Sequence, residues 1–486
     1  MRIYIIFVIL IVLAAAQKDP HFWKNRNGIV HLFEWKWIDI ATECENFLSK
    51  KGFGGVQISP PSENAIVAGR PWWEKYQPVS YILNNRAGDE TTFLEMTRRC
   101  NNAGIRIYVD LVVNHMAVAP GRGTANSTYN TEKKSYPAVP YTSRHFHPSC
   151  GIDYNNAESI RNCELVGLKD LDQSQHYVRE KIIEYVNHLI DLGVAGFRVD
   201  AAKHMWPNDL EQIFSSVKYL NTAHGFPNHS RAFIYQEVIN IDDHVVNNRD
   251  YLPIGRVCEF KNGHELAPCF NGHNPLKYLK SWGTGWGLLE GPETVIFIEN
   301  HDTERGNRTL SYKNAKPYKA AIGFMFAHPY DAVLKIMSSY FFDNNDQAPP
   351  HVGDTILSPG FSSDGTCTNG WVCQHRWSPI FNMIEFRNTV DGTDLNKWWD
   401  NGDRQIAFSR GNRGFYAVTV YGDINTKIPT SLPDGSYCDI ISGSFVKGKC
   451  TGKTLNVSGG YVHVYIGAFD FEAAVATHIN AKIYTY

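Results

Sequence analysis

Residues 174–204 read SQHYVREKIIEYVNHLIDLGVAGFRVDAAKH, and this stretch indicates the fold more clearly than any other part of the chain. Its first part carries apolar side chains at helical spacing: Val178, Ile182, Val186, Leu189 and Ile190. Gly193 ends this predicted helix, and a short apolar strand, Gly196–Val199, follows it. A strand that follows an amphipathic helix so closely is typical of β-α units that build a parallel sheet.

The same alternation of short strands and amphipathic helices covers most of the chain. A second clear helix is predicted over Thr91–Ala103 and ends at Gly104. Eight segments are predicted as strands of one sheet: Ile29–Glu34, Gly55–Ile58, Arg106–Leu111, Gly196–Val199, Ala232–Gln236, Arg256–Phe260, Thr294–Ile298 and Ala332–Met337. This number favours an α/β fold with a closed (β/α)₈ TIM barrel over an open doubly wound sheet. No glycine-rich phosphate loop follows the first strand, which weakens a nucleotide-binding alternative.

Two regions depart from this alternation and predict further domains. From Asn114 to Leu171 no strong helical pattern occurs, and so long a loop without structure is uncommon. We predict a small domain inserted there after the third strand, pinned by Cys150 and Cys163. After about Gly392, short strands between turn residues predict an all-β Greek-key domain. The predicted division is a barrel over 17–113 and 172–392, an insert over 114–171 and a C-terminal β-sandwich over 393–486.

The composition excludes partners that are held mainly by charge. The chain has 486 residues with 47 Lys and Arg against 49 Asp and Glu, a formal net charge of −2. A near-neutral chain lacks the bulk charge that binds nucleic acid or an anionic membrane surface. Aromatic residues make up 13% of the chain, and their flat apolar rings suit the faces of sugar rings as well as a protein core.

The N-terminus predicts the compartment. Met1–Ala16 carries one Arg before an apolar run that is too short to span a bilayer, and small residues end it. This pattern is typical of a secretory signal peptide over residues 1–16, which would leave Gln17 as the new N-terminus. No later apolar run reaches about 18 residues, so no transmembrane helix is expected and the protein is predicted to be extracellular.

The cysteines and the glycosylation sequons agree with secretion. The 10 cysteines are an even number, as expected in an oxidising compartment. Short spacing suggests four pairs: Cys150 with Cys163, Cys258 with Cys269, Cys367 with Cys373, and Cys438 with Cys450. Cys44 and Cys100 remain as a fifth pair, although spacing alone does not fix connectivity. The predicted glycosylation sites, each opening an Asn-x-Ser/Thr sequon, are Asn126, Asn228, Asn307 and Asn456.

Polar residues cluster where the predicted strands end, at the face on which a barrel carries its function. The clusters hold Asp110, Asn114 and His115; Arg198, Asp200, Lys203 and His204; Glu237; and Glu299, Asn300, His301 and Asp302. Capping of the following helices explains one such cluster well but explains all of them together poorly. Carboxylates at one mouth suit glycoside hydrolysis, which needs a proton donor and stabilisation of an oxocarbenium-like transition state. A metal hydrolase is a less favoured alternative, because the chain has no His-Glu-x-x-His helix.

These strand-end segments resemble the signature regions of the α-amylase family, the barrel glycoside hydrolases that act on starch. The resemblance is closest to the animal-type members. It continues through five further segments: His31–Trp35, Gly52–Gln57, Arg70–Glu74, Met337–Tyr340 and Phe386–Asn388. It covers essentially the whole mature chain, and nine segments in the same order make it specific.

The resemblance implies a role for each strand-end carboxylate. Asp200 matches the nucleophile, Glu237 the general acid/base, and Asp302 the residue that holds substrate hydroxyls and helps to stabilise the transition state. Arg198 would keep Asp200 ionised, because a neighbouring cation favours the charged carboxylate. The implied substrate contacts are Trp72, Trp73, Tyr76, Gln77, His115, Tyr154, Leu168, Arg198, Lys203, Ile239 and His301.

The resemblance also implies two bound ions. The implied Ca²⁺ ligands are Asn114, Asp170 and the backbone oxygens of Arg161 and His204. This oxygen-rich set suits calcium, which would staple the insert over the cleft. The implied Cl⁻ ligands are Arg198, Asn300 and Lys335. Lys335 stands where the family commonly has Arg, and lysine keeps the charge but loses the fork of donors.

One segment departs from the vertebrate pattern. After the seventh strand, vertebrate members carry a glycine-rich mobile loop, whereas Thr303–Tyr312 is shorter and holds one Gly. Contacts on the leaving-group side and the product pattern are therefore not carried over to this chain.

The residues and the resemblance together predict a secreted, calcium-dependent, retaining endo-α-1,4-glucanase that acts as a monomer. Its predicted substrates are starch, glycogen and maltooligosaccharides, with a long chain lying across an open cleft between barrel and insert. A maltase or transglycosylase of the same family stays open as an alternative. A non-catalytic carbohydrate-binding or allergen-like protein is less favoured, because that alternative predicts a missing acid or nucleophile and both are present.

Overall fold

A computed structural model of the chain describes residues 17–241 and 245–484. The predicted signal peptide, residues 1–16, lies outside the described residues. Within the described ranges no helix combines the length and the apolar character needed to cross a bilayer.

Eight parallel strands close into a barrel, which confirms the predicted fold class. The strands are β1 Asn27–Leu32, β2 Phe53–Ile58, β3 Arg106–Leu111, β4 Gly196–Val199, β5 Phe233–Gln236, β6 Arg256–Cys258, β7 Thr294–Ile296 and β8 Val333–Ser338. Each strand pairs with the next, and β8 returns to β1, where Ile29 lies opposite Lys335. Strands β2 to β5 are buried along their whole length, which is why they read as nearly continuous apolar runs.

The helices pack outside the barrel or within the insert. The α-helices of six residues or more are α1 Trp37–Glu43, α2 Glu90–Asn102, α3 Ala157–Asn162, α4 His176–Asp191, α5 Pro207–Ser216, α6 Phe260–Phe270, α7 Ala315–Ala327 and α8 Ser378–Val390. The two helices predicted most clearly are confirmed as α2 and α4. Gly193 ends α4 with a φ of +94°, and a Cβ there would lie 2.5 Å from the His224 ring, so the position requires glycine.

The segment between β3 and α4 forms a layer of its own. Its two ends pair as short antiparallel strands, His115–Met116 with Lys169–Asp170. Helix α3 and the Cys150–Cys163 disulfide hold the far end together. Tyr136 and Tyr141 are fully buried and give this layer an aromatic core.

The C-terminal region is built on two antiparallel sheets that pack face to face, with a separate short pair, Phe445–Val446 and Lys449–Cys450, which confirms the predicted all-β domain. The strands of the two main sheets are β9 Leu395–Asp400, β10 Gln405–Arg410, β11 Gly414–Thr419, β12 Ile424–Pro429, β13 Gly435–Cys438, β14 Thr454–Ser458, β15 Tyr461–Ile466, β16 Ala474–His478 and β17 Lys482–Ile483. One sheet has the order β9-β10-β11-β16 and the other the order β12-β15-β14-β13-β17. Side chains such as Phe415 and Val464 form a separate hydrophobic core between them.

Four of the five proposed disulfides are present in the described chain. They are Cys44–Cys100, Cys150–Cys163, Cys367–Cys373 and Cys438–Cys450. The fifth proposal was wrong: Cys258 and Cys269 are both free and buried. Cys258 ends β6 and Cys269 lies in the last turn of α6. At 1.5 Å per residue the helix carries Cys269 roughly 13 Å along its axis, too far for a disulfide.

Candidate active site

A cleft of about 520 Å³ opens beside the carboxyl ends of the barrel strands, and the insert forms one of its walls. Ten of its lining residues were predicted from the sequence: Trp72, Trp73, Tyr76, Gln77, His115, Leu168, Asp200, Glu237, His301 and Asp302. Four further lining residues were not: Val118, Leu165, Val166 and Ala201. The structure therefore gathers side chains from distant parts of the sequence around one cavity.

Arg198 organises the carboxylates at the floor of this cleft. Its Nη1 donates to Asp110 at 2.6 Å and to Asp200 at 2.5 Å, and its Nη2 donates to Glu237 at 2.5 Å. The second oxygen of Glu237 accepts the backbone N–H of Ala201 at 2.9 Å, directly beside Asp200. One guanidinium on β4 thus holds carboxylates that follow β4 and β5 in a fixed arrangement.

Asp110 is a member of this cluster whose role sequence reasoning left unassigned. It is fully buried within β3, and its Oδ2 accepts the Tyr76 hydroxyl at 2.8 Å. Burial raises the pKa of Asp110, and the ion pair with Arg198 opposes that rise. A carboxylate inside the apolar run of residues 107–111 was the signal available in the sequence, because a buried carboxylate needs a charged partner or hydrogen-bond donors.

The electrostatics of the floor follow from burial and from the ion pairs. Burial raises the pKa of Asp200, while Arg198 opposes this and favours the ionised carboxylate. The surrounding carboxylates raise the pKa of Arg198, so the guanidinium remains charged. Two effects raise the pKa of Asp302 to about 6. The larger is desolvation of its carboxylate in the cleft, and the smaller is the charge of Glu237.

Two histidines line the cleft in their neutral form. Burial lowers the pKa of His115 to about 4, and its Nε2 lies 3.0 Å from the Tyr76 carbonyl oxygen. Burial and nearby cations lower the pKa of His301 well below its usual range. The His301 ring stacks on Tyr76 with centroids 5.2 Å apart, and its Nε2 lies 3.3 Å from the Asp302 carboxylate. Neutral rings held this way can bind hydroxyl groups without adding charge.

Trp72 and Trp73 form an aromatic rim beside this floor. The Trp72 indole N–H donates to the backbone oxygen of Asn345 at 2.7 Å. The Trp73 indole N–H donates to the carboxylate of Asp346 at 3.1 Å. Both rings are therefore held by one exposed turn, residues 343–347, that follows β8.

Val166 reaches the cleft from the insert in an unusual conformation. Its side chain is 83% exposed, and its φ of 45° lies in the left-handed region that β-branched residues rarely adopt. Gly167 follows with a φ of +84°, so two successive residues turn the chain sharply at this wall. Sequence patterns do not reveal such a turn, because no residue type signals it at Val166.

Some predicted substrate contacts lie outside the described lining of the cleft. The Lys203 ammonium donates to the backbone oxygen of Ile239 at 2.7 Å, and the Ile239 side chain is 39% exposed. Tyr154 is half exposed on the insert. Arg198 lies beneath the floor, where it contacts carboxylates. The structure does not test whether these four residues contact substrate, and their roles stay predictions.

Asn114 and Asp170, two of the implied calcium ligands, lie side by side. The antiparallel pairing of His115 with Asp170 brings them together. Asn114 Oδ1 and Asp170 Oδ1 are buried and have no hydrogen-bond partner among the described residues. The other Asp170 oxygen lies 2.7 Å from His147 Nδ1. Two buried oxygen atoms without donors are what a hard cation would satisfy.

The side chain of His204 contacts the segment of the insert that holds Arg161. His204 Nδ1 lies 2.9 Å from the backbone oxygen of Ile160, the residue before Arg161. His204 is also close enough to His115 to lower the pKa of that ring electrostatically. The described part of the chain holds no group of three His, Cys, Asp or Glu side chains placed to bind a metal. The implied calcium ligands are instead one carboxylate, one side-chain amide and two backbone oxygens, and such an oxygen-only set fits calcium.

The implied chloride ligands include two buried cations. Lys335 is buried in β8, and its ammonium donates to the Gln57 side-chain oxygen at 3.2 Å. Burial lowers the pKa of Lys335, and the charge of Arg198 adds to that effect. Asn300 uses its side-chain oxygen to accept two backbone N–H groups from the turn that begins at Asp302. An anion beside both cations would offset their mutual repulsion.

The four sequon asparagines stand on the surface. Asn126, Asn228, Asn307 and Asn456 are all exposed. Asn307 lies five residues beyond Asp302, so it is the sequon nearest to the cleft in sequence.

Comparison with known families finds two matches along the chain. Residues 46–233 match the α-amylase catalytic domain, and residues 398–480 match the α-amylase C-terminal all-β domain. The first match includes Asp110, Arg198 and Asp200 and ends before Glu237, and the second includes most of the C-terminal sandwich.

Whole-length relatives agree with these matches. The α-amylase of Hypothenemus hampei is 64% identical over 98% of this chain and 99% of its own length. The α-amylase of Tribolium castaneum is 55% identical over 99% of both chains. Among solved structures, a Glu-to-Gln mutant of α-amylase I from Eisenia fetida in complex with maltohexaose superimposes with a TM-score of 0.90. That protein is 39% identical, and the match covers 94% of this chain and 98% of the other.

Proposed function

The chain belongs to the α-amylase family of glycoside hydrolases, and we propose that it is a secreted, retaining enzyme that cuts internal α-1,4 bonds of starch and glycogen. One observation carries this proposal: Arg198 binds both Asp200 and Glu237 at the floor of an open cleft. A carboxylate that can act as nucleophile and a second carboxyl group that can act as acid and base, close together beside a cleft, are the pair that retaining glycoside hydrolysis requires. Its four disulfides are a further feature of secreted proteins.

The proposed reaction has two steps. Glu237 donates its proton to the glycosidic oxygen while an Asp200 oxygen attacks the anomeric carbon, so the bond to the leaving sugar breaks and a glycosyl ester forms. Glu237, now a carboxylate, takes a proton from water. The resulting hydroxide attacks the anomeric carbon and releases Asp200 as a carboxylate. Two inversions at the same carbon retain its configuration.

Asp302 and the two histidines would bind the sugar at the reaction centre. The ionised Asp302 carboxylate accepts hydroxyl groups and stabilises positive charge that develops on the ring. Neutral His301 would offer a ring nitrogen to a neighbouring hydroxyl. His115, whose Nε2 lies 3.0 Å from the Tyr76 carbonyl oxygen and whose Nδ1 lies 3.2 Å from the Asn114 amide nitrogen, would exchange one of these contacts for a sugar hydroxyl. Their hydrogen bonds to the chain and the stacking on Tyr76 support this, because the rings are already oriented before substrate binds.

The aromatic rim of Trp72 and Trp73 supports the proposed preference of the enzyme for long sugar chains. Trp72 and Trp73 present apolar rings to a sugar chain, and Tyr76 and Gln77 line the same side of the cleft. On the leaving-group side, Lys203 and Ile239 would contact the departing sugars. We propose the division into barrel, insert and C-terminal sandwich at the predicted boundaries, with substrate lying between the first two.

We propose Ca²⁺ and Cl⁻ as bound ions. Asn114, Asp170 and the backbone oxygens of Arg161 and His204 would hold calcium, which would fix the insert to the barrel. Arg198, Asn300 and Lys335 would hold chloride, whose negative charge would favour the protonated form of the nearby acid. Chelation by EDTA should lower the Tm of the wild-type chain and have less effect on Asp170→Asn. In a halide-free assay, addition of chloride should raise the rate; no rise would refute the chloride proposal.

Release of reducing sugar from soluble starch tests the proposed function. Glu237→Gln should lower kcat by roughly 10²- to 10⁴-fold, because the amide has no proton to donate. Glu132→Gln, at an exposed position in the insert, is the matched control and should keep wild-type activity. Wild-type activity in Glu237→Gln would remove that residue from its proposed role.

The product pattern separates the endo-acting proposal from its alternative. An endo-acting enzyme should shorten starch quickly and hydrolyse maltose poorly. Preferential cleavage of maltose, or transfer of glucosyl units to added acceptor sugars, would favour a maltase or a transglycosylase. Size-exclusion chromatography of the active protein tests whether it is the proposed monomer, and glycosidase treatment tests the four sequons.

A further inference from the structure

Arg305 occupies the turn immediately after Asp302, and its side chain is only 6% exposed. Its Nη1 donates to the backbone oxygen of His301. Its Nε donates to the backbone oxygen of Asn345 at 3.2 Å, and its Nη2 donates to the Tyr340 hydroxyl at 3.2 Å. The guanidinium thus binds the residue before Asp302 on one side and the segment after β8 on the other.

The faces of the same guanidinium are covered by aromatic rings. Its central carbon lies 4.5 Å from the centroid of Trp72 and 4.5 Å from that of Phe342. Such stacking combines cation–π attraction with the planar shape of arginine. Arg305 therefore packs against two rings while its N–H groups make directed hydrogen bonds.

Trp72 and Arg305 share a common acceptor. The Trp72 indole N–H and Arg305 Nε both donate to the Asn345 carbonyl, at 2.7 Å and 3.2 Å. The Trp72 ring also lies edge-on to His301, with centroids 5.4 Å apart. A change in the position of Arg305 would therefore move the rim ring and the backbone beside Asp302 together.

We propose that Arg305 is a positioning residue that couples the aromatic rim to the reaction centre. This inference rests on the proposed function, in which Trp72 binds sugar and Asp302 stabilises the transition state. Arginine is required because one rigid fork reaches four acceptors, the Glu304 carboxylate at 3.0 Å among them, while aromatic rings pack against it. A lysine at the same place keeps the charge but makes fewer bonds of fixed direction.

The coupling predicts a change in both kinetic constants. A shift of the Trp72 ring weakens binding of the chain and raises KM. A shift of Asp302 removes an interaction made in the transition state and lowers kcat, since small misplacements of reacting groups reduce rates strongly. A residue that only stabilises the fold would lower the Tm and leave both constants of the folded enzyme unchanged.

Arg305→Lys is the main test, with soluble starch as substrate and rates expressed per folded molecule. We expect kcat to fall by roughly tenfold and KM to rise by about threefold or more. Arg376→Lys is the matched control. Arg376 also stacks between two rings, with Phe361 at 3.9 Å and Phe47 at 4.3 Å, and binds a carboxylate, but it lines no described part of the cleft. This control should lower the Tm and keep both constants.

Tyr340→Phe is a milder second variant. It removes one acceptor of the Arg305 fork and keeps an aromatic ring, so we expect changes of the same sign and about twofold size in both constants. The double variant Arg305→Lys with Trp72→Phe completes the set. If the two residues act as one unit, the combined loss in kcat/KM is smaller than the product of the single losses.

Retention of wild-type kcat and KM in Arg305→Lys would overturn the inference, as would single losses that multiply in the double variant. A binding measurement distinguishes failure of the coupling inference from failure of the proposed function. Maltohexaose should quench tryptophan fluorescence in the Glu237→Gln background, and Arg305→Lys should weaken its Kd by about threefold. An unchanged Kd would refute the coupling, whereas a wild-type chain that releases no sugar from starch would refute the proposed function instead.

Discussion

The floor and the rim of the cleft are built from different interactions. On the floor, Asp200 and Glu237 follow barrel strands and are held by charged hydrogen bonds to Arg198. On the rim, Trp72 and Trp73 begin a short 3₁₀ helix, Trp72–Tyr76, and rest on the exposed turn 343–347 through one indole hydrogen bond each. The floor is thus fixed by buried charge, and the rim by stacking and by single bonds near solvent.

This difference indicates how the two regions should respond to substitution. A buried carboxylate that loses its cation leaves an uncompensated charge, and the reacting groups lose both protonation state and position. A ring that loses one exposed hydrogen bond keeps most of its apolar contact with sugar. Changes on the floor should therefore reduce kcat, and changes on the rim should mainly raise KM.

The largest effect is expected from Asp200→Asn. The amide cannot form the glycosyl ester, so kcat on soluble starch should fall by roughly 10⁴-fold or more. The hydrogen bond to Arg198 can persist, so the folded structure should remain, as checked by circular dichroism. Residual activity above about one per cent of wild type would show that the floor does not depend on this carboxylate.

Arg198→Lys tests whether geometry matters on the floor beyond charge. Lysine keeps the positive charge but cannot bind Asp110, Asp200 and Glu237 with one rigid fork. We expect kcat to fall by about 100-fold, because the two reacting carboxylates lose their fixed arrangement. KM for starch is the internal control: a rise in KM with unchanged kcat would place Arg198 among binding residues and contradict the contrast with the rim.

The pH profile probes the floor without a substitution. Asp302 has its pKa raised to about 6, and its role requires the ionised form. The value of kcat/KM should therefore fall as pH drops through about 6, by up to tenfold per pH unit below it. The same limb should be absent from the residual activity of Asp302→Asn, and its persistence there would assign it to another group.

The free energy of unfolding should depend on pH in the opposite direction to kcat/KM. The pKa of Asp302 is higher in the folded protein than the usual value of 3.8, so folding favours the protonated form. Its contribution to the free energy of unfolding is greatest below pH 3.8 and is lost as pH rises through about 6. Denaturant unfolding of wild type and Asp302→Asn at about pH 4 and about pH 7 would measure this: the variant should gain relative stability at the higher pH.

Much of the fold followed from local pattern. The apolar runs of the barrel strands and the helix that ends at Gly193 were predicted because burial on both faces and a left-handed stop leave clear signals. The pairing of Cys258 with Cys269 was wrong because short sequence spacing ignores helix geometry: α6 separates the two thiols along its axis.

The floor of the site was likewise easier to predict than the rim. Strand ends converge by barrel geometry, so Asp200 and Glu237 could be placed together from their positions in the sequence alone. The turn 343–347 and the position of Arg305 depend on contacts between loops distant in sequence. No local pattern encodes such contacts, and a family resemblance transfers only residues that match its motifs.

The smallest effect is expected from Asp346→Ala, which acts on the rim alone. This substitution removes the carboxylate that accepts the Trp73 indole N–H at 3.1 Å and leaves the floor untouched. Loss of one exposed hydrogen bond should raise KM for starch by about two- to threefold and leave kcat unchanged. Asp343→Ala, in the same turn, removes an equal charge that does not contact Trp73, and it is the matched control.

The two variants separate ring position from charge. If KM rises only in Asp346→Ala, the hydrogen bond that orients Trp73 is responsible, and the rim acts by binding alone. If both variants change KM equally, the negative charge of the turn is responsible instead. A fall in kcat in Asp346→Ala would contradict the division between floor and rim, because the effect of one exposed bond would then have reached the reacting carboxylates.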